Sequence, residues 1–277
     1  MQENSALGRA MEMVRDLRSR CPWDRAQTRE TLRPYLVEEV LEVDQALVSG
    51  DPALLRDEMG DFLLHLAWQL VLAEELGEFT AAEVADDLVA KMQRRHPHLF
   101  DLGPARPWEQ LKRRERPRGT LEGLPPTLPP LLRAFRLQER AASVGFDWDD
   151  VQGPMDKVRE ELREVEEHLP VAGQRGGGAA GPYTEHQPPA IASDELIDEI
   201  GDLLFAVVNL SRKAGVAPGN ALDRANRKFT DRFRAVERLA AERGIDLHSA
   251  GLVGLDRLWD EVKEREEGER DLGLGGA

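Results

Sequence analysis

ELIDEIGDLLFAVVNLSRKA, residues 195–214, is the stretch from which the fold can be read. Glu199 and Asp202 stand three apart, so they share a helix face, and they open into the apolar run Leu203, Leu204, Phe205, Ala206, Val207, Val208. Two acids lead into a core helix. Glu58, Met59, Gly60 and Asp61 lead in the same way into Phe62, Leu63, Leu64, His65 and Leu66, so the element occurs twice. Upstream of each copy lies a second acidic segment, Glu38, Glu39 and Glu42 in the first and Glu160, Glu161 and Glu164 in the second. Each half of the chain therefore spells E-E-x-x-E followed by E-x-x-D. At about 100° per residue the three glutamates of either segment fall within an arc of about 100°, a single acidic face.

A lone E-E-x-x-E on a charged helix is ordinarily a solvated face. The E-x-x-D half resists that reading. Asp61 and Asp202 are followed by residues apolar on almost every side, which places them at the edge of the core, where an unpaired carboxylate is costly. Gly60 and Gly201 add to this, because a mid-helix glycine costs roughly 1 kcal/mol against alanine and its recurrence points to close approach by another backbone or a ligand. Packing the two acidic faces together gathers four or five carboxylates per copy. Such a cluster needs cations, and all-oxygen donors suit Mg2+ or Mn2+. Di-iron bundles use a Glu-x-x-His pair instead. Here that position is Asp, and His65, one turn beyond Asp61, is matched by Ala206 in the second copy, so His65 is read as packing.

The 277 residues suffice for the two domains that the repeat demands. A formal charge of −15 argues against a general binder of nucleic acid or anionic membrane. The single cysteine, Cys21, excludes an internal disulfide framework or a cysteine-rich zinc site. No signal-peptide-like run opens the chain and no apolar stretch reaches membrane-spanning length, so a soluble, cytoplasmic protein is expected.

Read in order, residues 6–20 form an amphipathic helix with Leu7, Met11, Val14 and Leu17 on one side, stopped at Cys21 and Pro22. A W-D-x-x-Q turn follows at Trp23, Asp24 and Gln27 and recurs at Trp148, Asp149 and Gln152. Trp23 is read as packing at a helix entry, with a nucleotide-facing role as the alternative. The next helix spans about 30–48. Asp51 and Pro52 then serve as N-cap and first residue of a helix that runs to Leu76 and stops at Gly77. Thr80 with Glu83 is a capping box for a helix to about Arg95. No stretch alternates as a strand, so the fold class is all-α.

Lys91 and Arg95 at i, i+4 are followed by Trp108 and Lys112, and the second copy repeats the set as Lys228, Arg232, Trp259 and Lys263. One basic pair near a helix end is ordinary surface charge. The same four residue types behind the same acidic motif are the parts that hold a nucleoside triphosphate, cations for phosphates and an indole for the base. The expected organisation is a first helical domain over 1–116, a proline-rich extended linker at 117–130 and a second helical domain over 131–267. Residues 170–190 are expected to form a flexible loop and 268–277 a disordered tail.

Together, C-P-W-D at 21–24, both acidic motifs in both halves, R-R-H-P-H-L-F at 94–100 and G-F-D-W at 145–148 make the chain resemble the MazG family of the all-α nucleoside triphosphate pyrophosphatase superfamily, in its two-domain form. The resemblance spans nearly the whole chain. It implies tandem helical-bundle domains completed by dimerisation, Mg2+-dependent hydrolysis of NTPs to NMP and pyrophosphate, and a house-cleaning role in the nucleotide pool. Carried over residue by residue, it makes Glu161, Glu164, Glu199 and Asp202 metal ligands and Lys157, Lys228, Arg232, Trp259 and Lys263 nucleotide contacts. In copy one the corresponding ligands are Glu39, Glu42, Glu58 and Asp61. Glu160 or Glu38 would be the spare carboxylate that takes a proton from water. Tyr35 stands where copy one would need a counterpart of Lys157, so copy two is expected to be the main catalyst. The runners-up are a catalytically weak nucleotide-binding regulator and a purely structural helical dimer.

Overall fold

The structure is a computed structural model that describes residues 5–105, 119–169 and 193–271. Trp108, Lys112, the 170–190 segment and the last six residues lie outside the described residues. Ten α-helices and one short 3-10 turn make up the described chain, with no strand among the described residues. The chain divides into two compact units, Met1–Lys112 and Arg113–Ala277.

In the first unit α1 (Ala6–Arg20) is capped by Ser5 and is followed by the short α2 (Pro22–Ala26). α3 (Arg29–Ser49) and α4 (Pro52–Glu75) form a hairpin, and α1 packs on α4. The core joins Met11 and Val14 of α1 with Leu32 of α3 and Trp68, Leu70 and Val71 of α4. Arg18 fastens this corner: its guanidinium lies 5.3 Å from the Trp68 ring, pairs with both Glu75 carboxylate oxygens at 2.7 Å and donates to the Asp24 carbonyl at 2.9 Å. The expected caps are present. Asp51 accepts from the Ala53 amide at 2.8 Å, and Thr80 and Glu83 cap each other at the start of α5 (Ala81–Arg95). Trp23 differs from its packing reading, since it is 57% exposed. Its helix, α2, has only five residues and buries none of them.

In the second unit α6 (Pro130–Ala142) packs on α8 (Asp194–Lys213), which pairs with α7 (Gln152–His168). α9 (Pro218–Glu242) and α10 (Gly251–Asp271) form a hairpin around Val236, Leu239, Ala240, Leu258 and Val262. Two expectations change here. The residues from 119 to 129 are not an extended spacer but two turns, closed by Glu122 N–H to Gly119 O and Leu128 N–H to Pro125 O, and Arg140 of α6 holds the Glu122 carbonyl at 2.5 Å. The stretch begun by Gly268 is not a disordered tail at its start, because α10 continues through Asp271.

Four helices end alike. Gly77, Gly145, Gly215 and Gly244 adopt φ between 66° and 90°, and the residue after each returns its amide to a carbonyl five positions earlier, as Val216 does to Ser211 at 2.8 Å. This left-handed turn costs glycine little and satisfies carbonyls that the helix end would leave open. Among the described residues no helix is long and apolar enough to cross a membrane.

Candidate active site

Each unit brings three carboxylates of its acidic motifs together. Oxygens of Glu39, Glu42 and Glu58 lie within 4.8 Å of one another in the first unit, and so do those of Glu161, Glu199 and Asp202 in the second. The helix hairpins explain this: E-E-x-x-E sits on α3 or α7, E-x-x-D on α4 or α8, and the antiparallel pairing lays one acidic face on the other. Asp61 and Glu164 stand beside their clusters. Asp61 helps raise the Glu39 and Glu58 pKa values, and the Glu161 carboxylate helps raise that of Glu164.

Burial is distributed differently from the sequence expectation. Asp61 and Asp202 are exposed, whereas Glu161 is 3% exposed and Glu39 is half-buried. The glycines that precede the two aspartates meet no close neighbour: a Cβ on Gly60 or Gly201 would have nothing within 4 Å among the described residues. The apolar run after each aspartate turns inward only from the next turn onward, where Ala206 and Val208 are buried.

The two clusters differ in their counter-charge. In the second unit Lys157 Nζ lies 2.5 Å from Glu161 Oε1 and 3.0 Å from Glu160 Oε1, and these hydrogen bonds raise the lysine pKa. Glu161 Oε2 remains buried without a hydrogen-bond partner. Burial, followed by the adjoining Glu161 carboxylate, raises the Glu164 pKa. In the first unit Tyr35 is 47% exposed at the lysine's position. Burial, followed by the charges of Asp61, Glu42 and Glu58, raises the Glu39 pKa. Burial also raises that of Glu58, followed by Glu42, Asp57 and Asp61. Unpartnered buried carboxylate oxygens facing other carboxylates fit a hard divalent cation, which is the donor chemistry that Mg2+ and Mn2+ prefer.

His65 is not only packing. It is 8% exposed, its Nε2 lies 3.6 Å from Glu39 Oε1, and burial lowers its pKa. Its spacing of four from Asp61 already put it on the acidic face; the comparison with Ala206 hid this. In the second unit Ala206 instead lines a cavity of about 500 Å3 that reaches Lys157, Glu161 and Asp202.

Further residues line that cavity that the sequence reading did not assign to the site: Gln138, Asn209 and Arg212, together with Phe146 and Trp148 of the G-F-D-W motif. Trp148 lies so closely over the start of α7 that a Cβ at Gly153 would be 2.0 Å from its Cδ1. Arg212 holds the neighbouring Asp147 carboxylate at 2.5 and 3.2 Å, and Lys213 adds a bond at 3.2 Å. Burial pushes the Asp147 pKa up, but these cations outweigh it and the net shift is downward. The available signal was polarity out of place, since Asn209 interrupts an apolar run and Gln138 follows Leu137.

The other expected nucleotide contacts sit on α9 and α10, none of them among the residues lining this cavity. Lys228 is exposed. Arg232 pairs with Glu266 at 2.8 Å and lies 5.9 Å from the Trp259 ring, which also packs on Phe229 at 5.3 Å. Lys263 pairs with Asp260 at 2.7 Å. In the first unit Lys91 and Arg95 are half-buried on the last turns of α5.

Fold and site together define an all-α protein whose duplicated helix hairpins each gather carboxylates suited to a divalent cation. Residues 27–100 match the MazG nucleotide pyrophosphohydrolase domain. The chain is 37% identical over 267 residues to the nucleoside triphosphate pyrophosphohydrolase of Escherichia coli strain K12, covering 92% of this chain and 95% of that protein. It is also 37% identical over 253 residues to the nucleoside triphosphate pyrophosphohydrolase/pyrophosphatase MazG of Thermotoga maritima, covering 89% and 91% of the two chains. A Bacillus subtilis protein, the uncharacterized YabN, is 36% identical over 266 residues, 92% of this chain and 51% of that one. The chain belongs to the MazG family.

Proposed function

We propose that the chain is a nucleoside triphosphate pyrophosphohydrolase, cleaving NTPs and dNTPs to the monophosphate and pyrophosphate, with the second unit as the main site. The observation that carries this is Glu161, buried with an unpartnered oxygen, beside Glu199, Asp202 and Lys157 at a cavity large enough for a nucleoside. Membership of the MazG family and the names of the relatives support the same chemistry. Glu161, Glu199 and Asp202, with Glu164 adjoining, would hold Mg2+, or Mn2+ in its place. Such an ion supplies charge neutralisation at the triphosphate and lowers the pKa of a bound water.

The chain's own residues do the rest. Lys157 can turn from Glu161 toward a phosphate oxygen, because its amine is half-exposed and its stem flexible. Glu160 stands outside the three-carboxylate cluster and takes the proton of the attacking water. Water oxygen bonds to phosphorus as the bridging P–O bond breaks, and attack at either the α or the β phosphorus yields the same two products. Arg232 reaches a phosphate by exchanging Glu266 for it, while Lys228 and Lys263 add positive charge and Trp259 a stacking face. In the first unit Glu39, Glu42, Glu58 and Asp61 would hold a cation, with Lys91, Arg95 and Trp108 as its counterparts for the nucleotide.

Incubation with each NTP and Mg2+ should release NMP and pyrophosphate, resolved by anion-exchange chromatography. Release of NDP and orthophosphate would overturn the reading, and nucleotide binding without turnover would favour the regulator.

A homodimer belongs to the same proposal. Ile197, Ile200, Leu204 and Val207 lie exposed on α8 at spacings of three, four and three, an apolar seam left open in the single chain. A second copy covers such a seam. Light scattering at micromolar concentration should give twice the chain mass of 31.0 kDa; a monomer would count against it.

A further inference from the structure

The two acidic hairpins differ at two matched positions: Lys157 of α7 is answered by Tyr35 of α3, and Ala206 of α8 by His65 of α4. The His65 ring is 8% exposed, yet it makes no hydrogen bond among the described residues. Its Nδ1 is buried without a partner, and its Nε2 stops 3.6 Å from Glu39 Oε1, beyond hydrogen-bond reach. Glu39 Oε2 is a second buried atom without a partner. The Glu39 carboxylate also stands within 4.8 Å of those of Glu42 and Glu58, so it is common to the imidazole and the acidic cluster. Among the described residues no lysine or arginine pairs with any of these three glutamates, in contrast to Lys157 on Glu161. Burying an imidazole and a carboxylate side by side without partners is costly unless something binds both.

We infer that His65 is a nitrogen ligand of the first unit's cation site, and that this site therefore selects a divalent first-row transition metal ion over Mg2+. The inference rests on the reading of Glu39, Glu42 and Glu58 as cation ligands and adds the class of ion. Two donors about 2.1 Å from one ion stand at most about 4.2 Å apart, so the 3.6 Å between Nε2 and Oε1 admits an ion bound by both. Magnesium takes oxygen donors and keeps much of its water, whereas imidazole suits zinc, iron and the ions between them in the series. The second unit offers no such ligand. Ala206 has only a methyl group at that position, and the Lys157 amine brings its own positive charge to the cluster. The two units thus divide the ions: a resident transition ion fastens α3 to α4 in the first, and Mg2+ serves the triphosphate in the second.

The test measures binding of Co2+ and of Mg2+ by calorimetry, without nucleotide, on the full-length Asp202→Asn protein, in which the second unit's site is weakened. The same protein carrying His65→Gln is measured beside it, since Gln offers an oxygen in place of the ring nitrogen. With His65 present, Co2+ should bind at least ~10-fold more tightly than Mg2+. His65→Gln should lower the Co2+ affinity about tenfold or more and change the Mg2+ affinity less than about threefold. A smaller Co2+ preference with His65 in place would overturn the inference. So would a His65→Gln protein that loses both ions alike, because a histidine that only packs against Glu39 would act on both. Proton NMR of the Co2+ complex does not depend on the variant's folding: a ligating imidazole gives a far-shifted N–H resonance, and its absence would also overturn the inference. Circular dichroism checks folding, with His65→Asn as substitute should His65→Gln not fold. No nucleotide enters these measurements, so failure of the proposed hydrolysis would leave them standing, and their failure would leave the hydrolysis standing.

Discussion

Asp202→Asn is expected to lower kcat at least ~100-fold with little change in melting temperature. Asp202 is exposed and makes no hydrogen bond or ion pair among the described residues, so its loss removes a ligand charge without disturbing packing. Asn keeps the shape and offers only one neutral oxygen to the cation. Because binding of the ion weakens, raising Mg2+ should recover part of the rate. The equivalent change in the first unit, Asp61→Asn, should leave most of the activity, since Tyr35 stands where a lysine would be needed and His65 occupies the position that Ala206 leaves open. Steady-state kinetics over a Mg2+ series checks both. If Asp61→Asn abolishes hydrolysis while Asp202→Asn barely alters it, the assignment of the working unit is reversed.

The second large effect is on stability. Lys157→Met removes the only cation paired with Glu161 among the described residues, and the Glu161 side chain is 4% exposed. Stripping one partner from a fully buried pair costs about 3–5 kcal/mol; Lys157 is 39% exposed, and solvent screening reduces this to ~1–3 kcal/mol. At about 2–4 °C per kcal/mol for a unit of this size, the melting temperature in EDTA should fall by several degrees. Mg2+ should restore more stability to the variant than to the wild type, because the ion supplies the missing charge and binds only the folded state. Equal melting temperatures in EDTA would show that Glu161 finds its compensation elsewhere. Glu161→Gln made in the same background tests the pairing, since a neutral amide no longer needs the lysine.

Helix positions were legible because their signals are local. Thr80 with Glu83, Asp51 with Pro52 and the glycine at 77 each act within one turn, and the structure places helix ends within a residue or two of them. The pairing of acidic faces was legible through repetition: the same two motifs in the same order left one way to bring them together. What neighbouring helices cover was not legible. Periodicity assigned Asp202 and Glu161 to faces of α8 and α7, but Glu161 is buried because α7 turns that face into the unit, and no pattern within α7 alone reports it. Gln138 was missed for a related reason, since its partner is a main-chain carbonyl 67 positions away. The proline-rich stretch misled because proline limits one backbone angle without deciding whether the chain extends or turns, and Arg140 settles the matter through the Glu122 carbonyl.

The four glycine-terminated helix ends bear on the order of events as the chain folds. Each stop is written within six residues, from the carbonyl that is captured to the amide that captures it, and so is available before any tertiary contact exists. Helix lengths are thereby delimited in advance. The slow search is left to docking of preformed rods, mostly sequence neighbours such as α3 on α4, α7 on α8 and α9 on α10. The α3–α4 and α9–α10 contacts close short connections, and local contacts of that kind favour rapid formation of those hairpins.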